Sequence, residues 1–471
     1  MKGVRFGAIV LLTALLPFAS SAQVLGIQGK NLKEFGVVGD GLADDTDALQ
    51  RSVDSGLHEI HLPAGAYRIR KPILVDLDKV GPISISGGGT ARLLMMGPGP
   101  AIRLSGTHAG TADPQTVKPN IWERQRMPVI DGLEIVGGHE QASGIDLTGT
   151  MQATLSRLLI REAWNGIRLT GRNRNVILSD CHIYHNRGAG IFLDQAELHQ
   201  INVANCHISY NSLGGIVALK SVIRNLQIGI CDIEDNVSPQ APSPANILID
   251  ATDGSVVEGA IVGCTLQHSS ASPDTANIRI VGESKEKSGR AGNFTIADNV
   301  LSDVAINIHL KNAQGITISG NTFWQASRYN LLVENSSQIV LGPNLFDRSP
   351  HYNSRDPNAI LFRDSEECTI SGLQINQVLS APAGLMIQRC RWFNITGCTI
   401  LDSEGCGLLL EDAENCLVTG CLIRSQGKTG RGKAAIRTMG GKGNVIRGNF
   451  LDGLVEIKGG GAHAKDNTTL R

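Results

Sequence analysis

From about residue 60 to the C-terminus, the chain repeats short apolar runs of Val, Ile and Leu at alternating positions, each closed by Gly, Asn or Asp. Runs of three to five residues with that alternation predict short strands with one face inward. Aligned on a small residue, then Cys or Asn, then x-Ile/Leu/Phe, one column runs Leu133, Leu158, Cys181, Cys206, Cys231, Cys264, Asn299, Asn321, Asn344, Leu373, Cys398, Cys421, Asn449. Most intervals are 22 to 29 residues; Cys231–Cys264 and Cys264–Asn299 are longer, at 33 and 35. A second column of Gly or Asn before β-formers tracks it, at Gly166, Gly190, Gly215, Asn246, Asn307, Gly384 and Gly407. No unit of this size buries its apolar face alone, so coils must stack, with equivalent inward positions superposed. The predicted architecture is an all-β solenoid, a rod of about 60 Å at the usual strand spacing.

The first column predicts an internal ladder of Cys and Asn. Stacked residues have parallel Cβ vectors about 4.8 Å apart, farther than a disulfide prefers. The ladder cysteines are therefore expected to be buried thiols, whereas Cys390, Cys406 and Cys416 lie off the column and are expected to pair. A solenoid end needs a cover. The N-terminal segment offers one: Asp44 or Asp45 caps a helix, Ala48, Leu49 and Val53 form its apolar stripe, and Gly56 stops it.

Composition agrees with the pattern: 55 glycines, 4% aromatic and 41% hydrophobic residues. A net charge of −1 argues against nucleic acid or an anionic membrane as partner. At the N-terminus, Lys2 and Arg5, the apolar run Ala8 to Phe18, and Ser20-Ser21-Ala22 have the layout of a secretory signal too short to span a membrane comfortably. The expected organisation is a signal over 1–22, a cap over 23–56 and the solenoid over 57–471, secreted or periplasmic and not integral to a membrane.

The stretch Phe35-Gly36-Val37-Val38-Gly39-Asp40-Gly41-Leu42-Ala43-Asp44-Asp45-Thr46-Asp47-Ala48-Leu49-Gln50, followed by Leu62-Pro63-Ala64-Gly65-Ala66-Tyr67-Arg68-Ile69, resembles the opening signature of the pectate-lyase-like superfamily. The resemblance implies a single right-handed parallel β-helix and a polysaccharide partner. It does not imply one reaction, because lyases, glycoside hydrolases, epimerases and phage tailspikes share the fold. The aspartates of the signature serve the turn and the helix cap. Catalytic signatures of the better-known branches are missing: Gly137-Gly138-His139 does not fit the polygalacturonase set, and Ser349-Pro350-His351 only approaches the epimerase motif.

Residues flanking the first column point outward, which predicts three files: His182–His207–Asp232, Arg161–Tyr184–Ser209–Glu234, and Glu162–His185–Tyr210–Asp235–His268. The catalytic candidates are His182, Tyr184, His185, His207, Tyr210, Asp232 and Glu234. An imidazole or phenol could take the proton beside a uronate carboxylate, while Arg161 or Arg187 neutralises that carboxylate. Asp232, Glu234 and Asp235 could hold calcium for the same purpose; otherwise no cofactor is expected. Asp232 with Glu234 or Glu162 could instead flank a glycosidic bond for hydrolysis. Arg161, Glu162, Trp164 and Arg187 are candidate substrate contacts. The insertion from Ser105 to Pro128 adds Trp122, Arg124 and Arg126, which would wall the same groove if it folds over the coils Leu158 to Cys231. β-Elimination on an acidic polysaccharide leads these readings, beside glycoside hydrolysis and a non-catalytic glycan-binding or surface-structural rod.

Overall fold

The structure is a computed structural model and describes residues 32–238, 244–267, 274–348, 355–424 and 434–469. The proposed signal and His268 and His351 lie outside the described residues. Every strand pairing is parallel, and each strand pairs with its counterpart in the next coil. Three faces result. Face 1 holds Leu159–Arg161, His182–Tyr184, His207–Ser209, Asp232–Glu234 and their successors to Thr468–Thr469. Face 2 runs from Ala142–Thr148 through Gly214–Leu219 to Leu454–Lys458. Face 3 runs from Thr154–Ser156 through Val222–Gly229 to Ala462–Lys465. The long strands Ile167–Ser179 and Ala189–Ala204 pass from face 2 around a corner onto face 3. Inward apolar residues stack coil upon coil; Ile160, Ile183, Ile208, Ile233 and Leu266 are all fully buried.

The first column stacks in the expected register and continues to Asn467. Its chemistry has a local cause. At the corner between faces 3 and 1 the preceding residue turns the chain with positive φ, as in Asp180 (57°), Asn205 (52°) and Ile230 (55°). A side-chain donor then reaches the carbonyl two residues back. Cys206 Sγ lies 3.2 Å from Ala204 O, and Asn344 Nδ2 lies 2.9 Å from Gly342 O. Cysteine and asparagine alternate because each is small and each carries a donor.

The Gly-to-Asn change in the second column also has a steric reason. In the early coils an amide from the corner between faces 1 and 2 fills the space. A Cβ on Gly190 would lie 2.9 Å from Asn211 Nδ2, and one on Gly215 would lie 2.9 Å from Asn236 Nδ2. From Asn246 to Asn330 the second column supplies the amide itself. One ladder thus runs Asn186–Asn211–Asn236 and passes to Asn246–Asn277–Asn307–Asn330, with Nδ2···Oδ1 distances of 2.7 to 2.9 Å.

All ten cysteines are buried free thiols. Cys390, Cys406 and Cys416 do not pair, contrary to the expectation, because each lies on a different file, Cys390 and Cys416 in the core and Cys406 in a separate apolar cluster on face 2. Cys390 falls between Ser365 and Ala413, Cys416 between Phe393 and Asn444, and Cys406 stacks on Ala383. Burial holds the thiols of Cys368 and Cys390 up at about 12.

At the N-terminal end the helix Thr46–Asp54 buries Ala48, Leu49 and Val53, and Gly56 follows with φ 76°. Asp45 is the N-cap residue, but its carboxylate turns back to accept from Val38 N at 2.7 Å and Gly39 N at 3.0 Å, while Asp44 accepts from Thr46 N at 3.1 Å. Gly39 is required there, since a Cβ would stand 2.7 Å from the Tyr67 ring.

The insertion lies on the corner between faces 2 and 3. Val117, Ile121 and Met151 pack with Trp122, Gln125 Nε2 donates to Asp78 Oδ1 at 2.7 Å, and Arg174 Nη1 donates to Thr111 O at 2.6 Å.

Candidate functional site

The three outward files form in the expected register as far as Asp232, Glu234 and Asp235, with His268 outside the described residues. His182, His207 and Asp232 are in register on the outer side of face 1, and Arg161, Tyr184, Ser209 and Glu234 are in register two positions on. Glu162, His185, Tyr210 and Asp235 stand at the corner between faces 1 and 2, all with positive φ (56°, 54°, 56° and 48°), which swings their side chains away from the core. The rings meet. His182 and His207 are 5.0 Å apart edge to face, His185 and Tyr210 stack at 5.0 Å and 15°, and Tyr184 meets His185 at 5.3 Å. Trp164 is 45% and Tyr210 44% exposed, so this corner carries an open aromatic surface in a chain with few aromatics.

Charge organises the rest. Tyr210 Oη donates to Glu234 Oε1 at 3.3 Å, and Gln267 Nε2 donates to Glu234 Oε2 at 3.4 Å. The Glu234 charge raises the Tyr210 phenol, keeping it protonated. Arg161 is committed to Glu134 at 2.9 Å and to Glu162, so it is not placed as a carboxylate neutraliser. Arg187 remains exposed on the corner, with Nη2 donating to His139 O at 2.6 Å. Asp232 and Glu234 share one outward strand side two residues apart, about 7 Å. Asp235 sits round the corner, and among the described residues no three His, Cys, Asp or Glu side chains converge as a metal cluster.

Trp122, Arg124 and Arg126 do not join this surface. The insertion occupies another corner, Trp122 packs in its small apolar cluster, Arg124 donates to Lys79 O at 3.3 Å, and Arg126 pairs with Met151. The expected single groove is thus two separate regions.

Face 2 carries a network absent from the sequence reading. Arg279, 3% exposed, has Nε 3.2 Å from His309 Nδ1, and His309 Nε2 lies 2.9 Å from Glu334 Oε2, which also pairs with Arg363. The His309 hydrogen bond and the Arg363 charge hold Glu334 down at about 2 against the opposing effect of burial. Both imidazole nitrogens are engaged, so the network locks the coils rather than offering a proton. The register of the second column carries the signal, since His309 and Glu334 lie on neighbouring outward files of that face.

A family model described as a right-handed β-helix region matches residues 121–271. The chain is a right-handed parallel β-helix. A second family model, described as periplasmic copper-binding protein (NosD), matches residues 246–468. The described residues do not fit a copper centre: no three His, Cys, Asp or Glu side chains converge, and all the thiols are buried. No curated protein matches the chain. Among solved structures, the pre-mature gene product 12 of bacteriophage phi29 aligns over 92% of this β-helix and 56% of its own chain, with 14% identity and a TM-score of 0.53. Tailspike protein 3 of bacteriophage CBA120 aligns over 93% of this chain and 61% of its own, with 11% identity and a TM-score of 0.46. The A-module of the mannuronan C-5 epimerase AlgE6 from Azotobacter vinelandii aligns over 94% and 99%, with 13% identity and a TM-score of 0.37. The β-helix spans less than two thirds of either phage protein. No helix among the described residues is long and apolar enough to cross a membrane.

Proposed function

We propose that this β-helix is a secreted or periplasmic member of the pectate-lyase-like group that cleaves a uronic-acid-containing polysaccharide by β-elimination on face 1 and its adjoining corner. The observation that carries the reading is the exposed row of proton carriers, His182, His207, His185 and Tyr210, held ring against ring on a stiff sheet. His182 or His207 removes the proton α to the uronate carboxylate. The electron pair forms the C4–C5 double bond as the C4–O bond breaks, and the Tyr210 phenol protonates the departing oxygen. Glu234 orients that phenol. Arg187 faces the carboxylate, and Trp164, beside it on the corner, offers a ring for sugar stacking.

Mutual packing of the rings favours a second reading, glycan binding without cleavage. The deciding experiment incubates the purified protein with uronic and neutral polysaccharides and follows unsaturated-uronate absorbance, reducing ends and retention on polymer. Absorbance lost in His182→Ala and His207→Ala supports elimination. Reducing ends without absorbance would shift the chemistry to hydrolysis by Asp232 and Glu234. Retention on polymer alone would leave a binding rod.

A further inference from the structure

Buried side-chain nitrogens without partners gather on the corner between faces 2 and 3, away from the His/Tyr surface. His108, 2% exposed, has no hydrogen-bond partner among the described residues at either Nδ1 or Nε2; Arg172 Nε and His199 Nδ1 are likewise buried without one. Each such group costs about 1–3 kcal/mol when nothing satisfies it, so their coincidence at one place points to a ligand. The register makes the place cationic. Arg174, His199 and Arg224 stack in consecutive coils as one outward file, and Arg172 stands two residues before Arg174 on the same side. The opposing carboxylates are Glu197, 3.4 Å from Arg172, Glu258, which acts on His199, and Asp253 and Glu283, which line a hollow together with Arg224 and Arg290. Burial and the charges of Arg172 and Arg174 hold His108 down at about 4, so it stays neutral beside the two guanidiniums.

One residue beyond this file the chain turns, at Asn175, Gln200 and Asn225, and these amides open a groove of about 300 Å³ floored by Val176 and Ile177. Asn202 and Gln227 line its far side. Amides that donate and accept, next in the chain to Arg174 and Arg224, match the two halves of an acidic sugar: hydroxyls on one side and a carboxylate on the other. We infer that this corner is a second, non-catalytic binding site for an anionic saccharide unit, with Arg172 and Arg224 on the carboxylate and Gln200 and Asn225 on the ring hydroxyls. The choice of a saccharide over another oxyanion rests on the function proposed above.

Isothermal titration of the mature chain with sodium glucuronate, glucuronamide, glucose and sodium sulfate tests it. The expected result is glucuronate binding that weakens at least tenfold in Arg172→Gln and in Arg224→Gln, and is unchanged in the double variant His182→Ala/His207→Ala. Glucuronamide and glucose should bind at least tenfold more weakly than glucuronate. Two substitutions guard against a misfolded variant, and each must retain the wild-type melting temperature to count. Glucuronate binding that survives both arginine substitutions, or is abolished only by the histidine pair, overturns this corner site and leaves the face 1 proposal standing. Sulfate binding as tight as glucuronate, lost in the same arginine variants, overturns the saccharide assignment while face 1 is judged by its own cleavage assay.

Discussion

Asn211→Ala should loosen three neighbouring coils and leave the rest of the rod intact. Asn211 is fully buried. Its Nδ2 donates to Asn236 Oδ1 at 2.7 Å and to Ile183 O at 3.1 Å, and its Oδ1 accepts from Asn186 Nδ2 at 2.8 Å and from Asn186 N at 3.2 Å. After truncation the Asn186 amide still has Ile160 O, and Asn236 Oδ1 still accepts from Asn211 N. The Asn186 backbone N–H loses its side-chain acceptor in a buried corner, at about 1–3 kcal/mol. The remaining three bonds contribute about 0.5–1.5 kcal/mol each, so the local loss is about 2.5–7.5 kcal/mol. Coils of a solenoid contact only their neighbours, so the loss should stay local. Hydrogen exchange followed by mass spectrometry reads it directly. Amides around Asn186, Asn211 and Asn236 should exchange about a hundredfold faster or more, because each 1.4 kcal/mol is about tenfold, while coils around Cys398 and Cys421 keep wild-type protection. Asn202→Ala, on the exposed side of face 3, is the control and should change nothing. Protection changed less than tenfold at the three coils, or lowered evenly along the chain, would refute the ladder as a source of local stability.

His182→Ala and His207→Ala should abolish cleavage while moving the melting temperature by no more than a degree or two, because both side chains are exposed and surface changes fall within about 0.5 kcal/mol; melting measured beside the activity assay checks both halves. Ile230→Asn should stabilise by about 1 kcal/mol in urea unfolding, since a β-branched residue at φ 55° is strained and this side chain is 73% exposed. Glu334 has a folded-state value of about 2 against an ordinary 4.5, so its contribution is fully present above about 4.5 and lost as pH falls toward 2. Glu334→Gln should therefore cost about 2–3 kcal/mol at neutral pH and flatten the acid limb of a stability–pH profile. A thiol reagent should label almost none of the ten cysteines in the native protein and all ten in denaturant, with melting unchanged by reductant.

Much of the fold was legible because a solenoid writes one environment many times. The positions Leu158 to Asn449 share one corner and one backbone need, so side chains as different as Cys and Asn reveal a column once aligned. The outward files on face 1 followed from the same register, and their residues do lie side by side. Two things were not legible. Where the insertion lies depends on contacts such as Arg174 with Thr111, 63 residues away in sequence, which no repeat encodes. The fate of a charge depends on its partner: Arg161 reads as available until Glu134 is found beside it, one coil earlier. The off-column cysteines failed for a related reason, since absence from one file left unread which of several other files each occupies.

The hand-over from Asn236 to Asn246 bears on how such a rod can change over generations. The two residues flank a connection that joins Asp232–Glu234 to Ala245–Ala251, yet their amides meet at 2.9 Å. Because the amides of Asn236 and Asn246 bond to each other directly, the ladder does not depend on the residues between them, and that segment can be lengthened, shortened or exchanged without unpicking the coils on either side. Further along the chain, the segments before Ala276–Gly282, Ala359–Arg363 and Ala434–Met439 are also long in sequence. That edge is the natural grafting line of the molecule: new recognition loops can be tried there one at a time on a scaffold that does not register the change.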